Sequence, residues 1–157
     1  MSKLQKLIDE ACEGKSLLDK VYGKFPVHIA PSCGEEEVRE VLLRLDQLSA
    51  DKEKVEDWDG DGQDDIWRVQ NGFSELLEAI LPNHVGEVCK GLTSNRKDTA
   101  FYVVHALWKS PTKHAIKSVE EYLKRDIPKL HRKVGIDALK ACKGKRSLVE
   151  KLLGKNA

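Results

Sequence analysis

Apolar residues along this chain recur mostly at intervals of three and four, which is the period of an amphipathic α-helix. The first such segment covers Lys3 to Cys12, and a second, short one follows from Ser16. A stronger segment runs from Glu35 to about Ser49, where three glutamates in the first turn meet the positive end of the helix dipole. Alternation of the strand type is almost absent, so the sequence predicts an all-α fold.

Prolines and glycines divide the rest of the chain into further helical segments. One helix is predicted from Ile66 to Leu81, directly before Pro82, and a short one from Val85 to Leu92. From Lys97 the pattern predicts four helices joined by short turns, as expected of antiparallel hairpins. The breaks between these helices fall at Pro111, Pro128 and Gly144. At 157 residues, the chain fits a single helical domain spanning 1–157.

Two pairs of segments in the last third of the chain match each other. Residues 105–107 (HAL) match 137–139 (DAL) at a spacing of 32, and residues 118–123 match 147–152 at a spacing of 29. In this spacing, and in the stretch VVHALWKSPTKHAIKSVEEYLK, residues 35–157 resemble the HEAT-like family of helical repeats. The resemblance implies a short α-solenoid of stacked hairpins, and a helical bundle is the alternative.

The charge of the chain changes sign along its length. Residues 1–89 contain 10 Lys or Arg against 20 Asp or Glu, whereas residues 90–157 contain 17 against 6, so the net charge of +1 conceals two oppositely charged halves. Such an asymmetry can steer a charged partner toward one side of a molecule.

Cysteine usage and the amino terminus favour a cytoplasmic protein. The four cysteines are widely spaced, with no CxxC pair and no Cys/His cluster at zinc spacing, which favours reduced thiols. The first twelve residues are charged throughout and lack the apolar core of a signal peptide. No apolar run approaches the roughly 20 residues that span a bilayer, so no membrane association is predicted.

The densest cluster of candidate ligands is DWDGDGQDD at residues 57–65, which places five aspartates in nine residues. Counted from Asp57, acidic residues occupy positions 1, 3, 5 and 9, and a glycine occupies position 6. Alternate side chains in a tight loop can face one centre, and the glycine permits the sharp turn that brings the carbonyl at position 7 to that centre. This is the ligand spacing of calcium loops.

The stretch resembles the D-x-D-x-D-G-x-x-D loops of calcium-binding families, namely EF-hands, dockerins and the FG-GAP repeats of β-propellers. The resemblance implies a Ca²⁺ cofactor. The ligands it implies are the carboxylates of Asp57, Asp59, Asp61 and Asp65 and the main-chain oxygen of Gln63. Position 12 is Arg68, where an EF-hand has a bidentate glutamate, so the expected Kd is on the order of 10⁻⁵ to 10⁻³ M. The alternative is that Asp64 or Asp65 caps the following helix.

No catalytic constellation is evident in the sequence. Cys33 lies just before the helix at Glu35 with His28 nearby, but the adjacent glutamates would raise the pKa of the thiol and no oxyanion signature accompanies the pair. No two histidines have HExxH spacing, and neither a phosphate loop nor a dinucleotide fingerprint is present. We therefore predict a non-catalytic protein.

The helices after Lys97 contain candidate nucleic-acid-binding residues. Basic side chains recur along consecutive helices, which in a solenoid line one surface, so several could converge on a phosphate backbone. The HEAT-like alkylpurine DNA glycosylases use such a surface, and resemblance to them implies a role related to DNA repair. The candidates are Lys109, Lys113, Lys117, Lys124, Arg125, Lys129, Arg132 and Lys133.

Two functions follow from these patterns. The first is a protein-interaction module, such as an intracellular adaptor or a toxin-immunity protein, whose acidic face around residues 57–65 binds a basic protein partner. The alternative is a nucleic-acid-binding protein that uses the basic helices of the carboxyl-terminal half. A calcium-responsive element is a third hypothesis.

Overall fold

The computed structural model describes residues 1–21, 23–55 and 60–144, with residues 60–63 as backbone only. All regular structure in these ranges is helical, which confirms the predicted all-α class. The α-helices are α1 (Lys3–Ala11), α2 (Leu17–Val21), α3 (Glu35–Lys54), α4 (Gly60–Cys89), α5 (Lys97–Lys109), α6 (Ile116–Leu123) and α7 (Lys129–Cys142). Short 3₁₀ helices cover Val27–Ser32, Lys90–Thr93 and Lys113–Ala115.

The core lies around α4 and α5. Helix α4 packs against α3 and α5, while α5 also packs against α3 and α7, and α6 packs against α7. Buried apolar side chains from Leu4 to Cys142 form one continuous cluster, because every long helix contributes an apolar stripe at helical spacing. The arrangement of the hairpins as a solenoid or as a bundle stays a prediction.

Most predicted helices are present, with shifts at their ends. Helix α3 continues to Lys54, beyond the predicted end at Ser49, and α6 is preceded by a 3₁₀ turn. Helix α4 runs past Pro82, but His84 has non-helical angles (φ −141°, ψ 41°), so the predicted break is a kink. Gly144 ends α7 with φ of +73°, a left-handed conformation that favours glycine. The predicted last helix lies outside the described residues.

The amino terminus of α3 is fixed by a side-chain cap. The backbone N–H of Gly34 donates to Oε1 of Glu37 at 2.9 Å, and the same oxygen lies 3.2 Å from Nζ of Lys3 on α1. The Gly34 hydrogen bond, opposed in part by burial and assisted by Lys3, lowers the pKa of the Glu37 carboxyl. Glu37 therefore caps α3 and also holds α1 against it.

Helices α3 and α5 join the acidic and basic halves of the chain. The carboxylate of Asp46 on α3 accepts hydrogen bonds from the hydroxyls of Ser94, at 2.7 Å, and Thr99, at 2.6 Å. Arg96 pairs with Glu53 at 3.0 Å, so the contact combines buried hydroxyls with a more exposed ion pair. None of the helices in the described ranges is both long and apolar enough to span a membrane.

Candidate functional site

Residues 60–65 of the acidic run differ from the predicted loop. Helix α4 begins at Gly60, so the prediction that a loop continues to the start of a helix at Ile66 is wrong. Aspartates suit the first turns of a helix because the positive end of the dipole stabilises them, and this favours helix despite the two glycines. A helical backbone directs the Gln63 carbonyl along the helix axis, unlike the inward-facing carbonyl of a calcium loop.

The cation site itself stays a prediction. Asp57 and Asp59 lie outside the described residues, and Asp61 and Gln63 are described as helical backbone only. Asp65 lies in α4 and is partly exposed. Within the described ranges, no three His, Cys, Asp or Glu side chains are grouped so that they could hold a metal ion.

Two of the eight basic candidates, Arg125 and Arg132, donate hydrogen bonds to backbone carbonyl oxygens of other segments. The Arg125 guanidinium donates to the carbonyl oxygens of Leu92 and Ser94, the latter at 2.7 Å. The Arg132 guanidinium donates to the carbonyls of Leu123, at 2.7 Å, and Arg125, at 2.9 Å. These oxygens lie at or just beyond the ends of helical segments, where carbonyl groups have no N–H partner within the helix. Both arginines therefore join helix ends, and their N–H groups are directed at backbone oxygens.

The candidate lysines of α5 and α6 have mixed surroundings. Lys109 places Nζ 4.8 Å from the centre of the Trp108 ring, a cation–π contact. Lys124 lies 3.0 Å from the Glu121 carboxylate. Lys113 and Lys117 are exposed, but Glu120 and Glu121 share the outer side of α6 with them. This side of α6 is consequently not uniformly basic.

The outer side of α7 is predominantly basic, with the partly exposed Asp137 at its margin. Lysines and one isoleucine, Ile136, follow one another there at alternating intervals of four and three residues. At 100° per residue, this spacing places the lysines within an arc of about 80° on one side of the helix. We define the α7 lysine face as Lys129, Lys133, Lys140 and Lys143. All four side chains are exposed, and no ion pair connects them to any carboxylate in the described part of the chain.

Of the eight predicted residues, Lys129 and Lys133 lie on this face. Lys140 and Lys143 are not among the predicted residues, although the i, i+4, i+7, i+11, i+14 spacing from Lys129 to Lys143 places them on the same side of one helix. The sequence predicts convergence across consecutive helices. The row of exposed lysines in the structure runs along a single helix, because the arginines that precede α7 and lie in its first turn bond to helix ends.

The opposite side of α7 contacts an aromatic strip on α5. The imidazole of His131 stacks on the ring of Phe101 with centroids 4.4 Å apart, and His105 lies between Phe101 and Trp108 on α5. Burial is the main reason why the pKa values of both histidines are lowered; Lys109 also lowers that of His105, while Asp98 partly offsets the effect at His131. Nδ1 of His131 is buried and has no hydrogen-bond partner in the described structure. A proton at that nitrogen would therefore lack an acceptor.

We expect acid to destabilise the fold through His131. The pKa of His131 is lower in the folded protein than in the unfolded chain, where it is about 6.5, so the unfolded chain binds more protons. The contribution of His131 to stability is therefore fully present above about pH 6.5 and is lost as the pH falls toward the folded pKa. His131→Phe keeps the stacked ring but does not titrate. Urea unfolding from pH 7.5 to 5 should therefore show a smaller loss of stability in this variant than in the wild type. The exposed His114→Phe serves as the control, and equal losses in all three proteins would contradict the assignment.

The cysteines provide no reactive centre. All four are free and buried. Burial, followed by the nearby Glu37 carboxylate, raises the pKa of the Cys33 thiol, and its Sγ donates to the Ile29 carbonyl at 3.5 Å. A protonated, buried thiol is a poor nucleophile, in agreement with the sequence-based rejection of a Cys33–His28 pair.

Comparison with known proteins adds no family to these observations: no protein-family model, no curated protein and no solved structure matches the chain.

Proposed function

We propose that this chain is a non-catalytic nucleic-acid-binding protein that contacts phosphates through the α7 lysine face. The observation that supports the proposal is a row of four exposed ammonium groups, three on one side of the 14-residue helix α7 and the fourth on its C-cap residue Lys143, without carboxylate partners among the described residues. Lysines placed in a row neutralise phosphates and release the counterions condensed on a nucleic acid. By contrast, most arginines elsewhere in the described structure are engaged by carboxylates or backbone oxygens, as are Arg39, Arg44, Arg96, Arg125 and Arg132.

Several properties of this face favour a nucleic acid over a protein partner. The centres of protein interfaces are depleted in lysine and enriched in aromatic residues, methionine and arginine. The α7 lysine face instead surrounds a single apolar side chain, Ile136, which is 41% exposed, and the more exposed Leu130 (63%) lies about 60° outside the arc of the lysines. It offers no large apolar anchor for a protein, but it offers several flexible positive charges for phosphate oxygens.

Binding of a basic protein partner at the acidic half is a second proposal. Its support is Trp67 on α4, which is 50% exposed, since exposed tryptophans are frequent energetic centres of interfaces. The groove beside Trp67 is lined by Lys24 and Arg68 as well as Glu75, so the attraction for a basic partner comes from the net charge of this half of the chain and not from the groove. Calcium binding by residues 57–65 belongs to this second proposal. It requires residues 60–65 to leave the helical conformation, because the ligands of a calcium loop alternate around a tight turn.

Fluorescence anisotropy with a labelled 20-base-pair duplex tests the leading proposal. We expect the wild type to bind at 50 mM salt and the double variant Lys133→Ala, Lys140→Ala to bind about 100-fold more weakly, because two phosphate contacts and their counterion release are lost. The matched control is Lys6→Ala, Lys15→Ala, which removes two exposed lysines from the acidic half and should bind like the wild type. Failure of the wild type to bind, or equal weakening in both double variants, would overturn the proposal.

A further inference from the structure

We infer that the α7 lysine face binds the double-stranded form of a nucleic acid and does not distinguish base sequences. This inference rests on the proposed function above. It comes from three properties of α7 and its surroundings, namely the shape of the exposed side, the position of the aromatic rings and the bonding of Arg132.

The shape of the face suits a duplex. Sites for single strands are basic grooves that enclose a flexible backbone. The α7 lysine face is the outer, convex side of a helix, and its end residues Lys129 and Lys143 are about 21 Å apart along the helix axis. A straight row of charges on one side of a helix can lie along the rigid phosphate row of a duplex, where its lysines contact the backbone and not the base edges. A flexible strand would have to be ordered against this convex surface.

The α7 lysine face contains no aromatic side chain on which a base could stack, and the partly exposed rings of Phe101 and Trp108 lie on α5, where Phe101 contacts the opposite side of α7 through His131. Proteins that bind single strands stack successive bases on aromatic side chains. The only ring within α7 belongs to His131, which stacks inward on Phe101. Tyr122 on the neighbouring α6 is only 2% exposed. The α7 lysine face therefore lacks a stacking platform, which leaves phosphate contact as its main source of affinity.

Apart from lysine, the same face lacks the side chains that distinguish bases. Direct recognition in the major groove uses arginine or lysine with guanine and asparagine or glutamine with adenine. A lysine ammonium is a single point charge that suits a phosphate, whereas the bidentate contact to guanine fits the planar fork of arginine. Helix α7 contains neither asparagine nor glutamine. Its single arginine, Arg132, is engaged by the carbonyls of Leu123 and Arg125. Contacts from lysine to phosphate carry no sequence information, so duplexes of different sequence should bind alike.

The test compares three probes with the full chain: a mixed-sequence 20-base-pair duplex, one strand of that duplex alone, and a second duplex of unrelated sequence. We expect the two duplexes to bind within about twofold of each other and the single strand to bind at least about tenfold more weakly, because it gains no stacking. With four phosphate contacts, log Kobs against log salt should have a slope of about −3.6, an approximately 150-fold loss of duplex affinity between 50 and 200 mM salt. Lys133→Ala should reduce the magnitude of this slope by about 0.9, whereas Lys6→Ala should leave it unchanged.

The outcomes separate this inference from the proposed function. Tighter binding of the single strand would overturn the duplex inference and leave nucleic-acid binding in place. A strong preference for one duplex sequence would overturn only the inference that the face does not distinguish base sequences. Absence of binding to all three probes at low salt would overturn both proposals.

Discussion

Replacing Arg125 with alanine is expected to lower the free energy of unfolding by about 3 kcal/mol. The guanidinium donates to the carbonyls of Leu92 and Ser94, joining the segment after α4 to the end of α6. The same group lies over the Tyr122 ring, with Cζ 5.9 Å from its centre. Removal would leave two partly buried carbonyl oxygens without their charged donor, and hydrogen bonds to charged groups contribute more than neutral ones.

Urea unfolding followed by circular dichroism measures this effect, and two variants calibrate it. Arg125→Lys keeps the charge, but a single ammonium does not reproduce the planar fork that reaches both carbonyls, so it should recover only part of the loss. Lys124→Ala removes the adjacent, exposed residue, whose ion pair with Glu121 is a surface contact, and should change stability by less than about 1 kcal/mol. Equal stability of Arg125→Ala and Lys124→Ala would contradict the structural role.

The second large effect is expected for Gly72→Ala, which should destabilise the protein by about 2–3 kcal/mol. A Cβ atom at this position of α4 would lie 2.1 Å from Cδ2 and 2.6 Å from Cε2 of Phe25, far inside van der Waals contact. Phe25 is buried and packs edge-on against Phe73, with ring centres 5.4 Å apart. The ring would have to leave this position, and the lost burial exceeds the gain in helix propensity that alanine brings.

The same helix provides a matched control with the opposite sign. Gly86 lies beyond the kink in α4, and a Cβ there would meet no atom within 4 Å. Gly86→Ala should therefore stabilise the protein by up to about 1 kcal/mol through helix propensity alone. Thermal and urea unfolding of the two variants test the pair. In a Phe25→Ala background the penalty of Gly72→Ala should largely disappear, and its persistence there would show that Phe25 is not the cause.

Much of the helical framework was predictable because it depends on local sequence. The three- and four-residue spacing of apolar side chains located α1, α5 and α7 to within one or two residues. Pro82 and Gly144 marked a kink and a helix end through their own backbone restrictions. The spacing could not establish a solenoid, because hairpins in a solenoid and in a bundle show the same apolar periodicity.

The acidic run shows where local patterns become ambiguous. Alternate aspartates with a central glycine suit a calcium loop, and the same aspartates suit the first turns of a helix. The structure adopts the helix from Gly60 onward, continuous with the apolar stripe that buries Phe73 and Leu76 against the core. Burial of this stripe by tertiary packing contributes far more than the weak local preference of the acidic residues.

By itself, the sequence determined the all-α class, most helix positions and the separation of charge between two halves, since each depends on residue type and spacing along the chain. Only the tertiary structure decided how individual charged side chains are used. Arg125 and Arg132 bond to carbonyls of other segments, while Lys140 and Lys143 extend the exposed row that begins at Lys129. The difference arises because a long, flexible side chain bonds to whichever backbone atoms lie within its reach in the folded protein. Those atoms belong to residues far away in the sequence, so local spacing does not identify them.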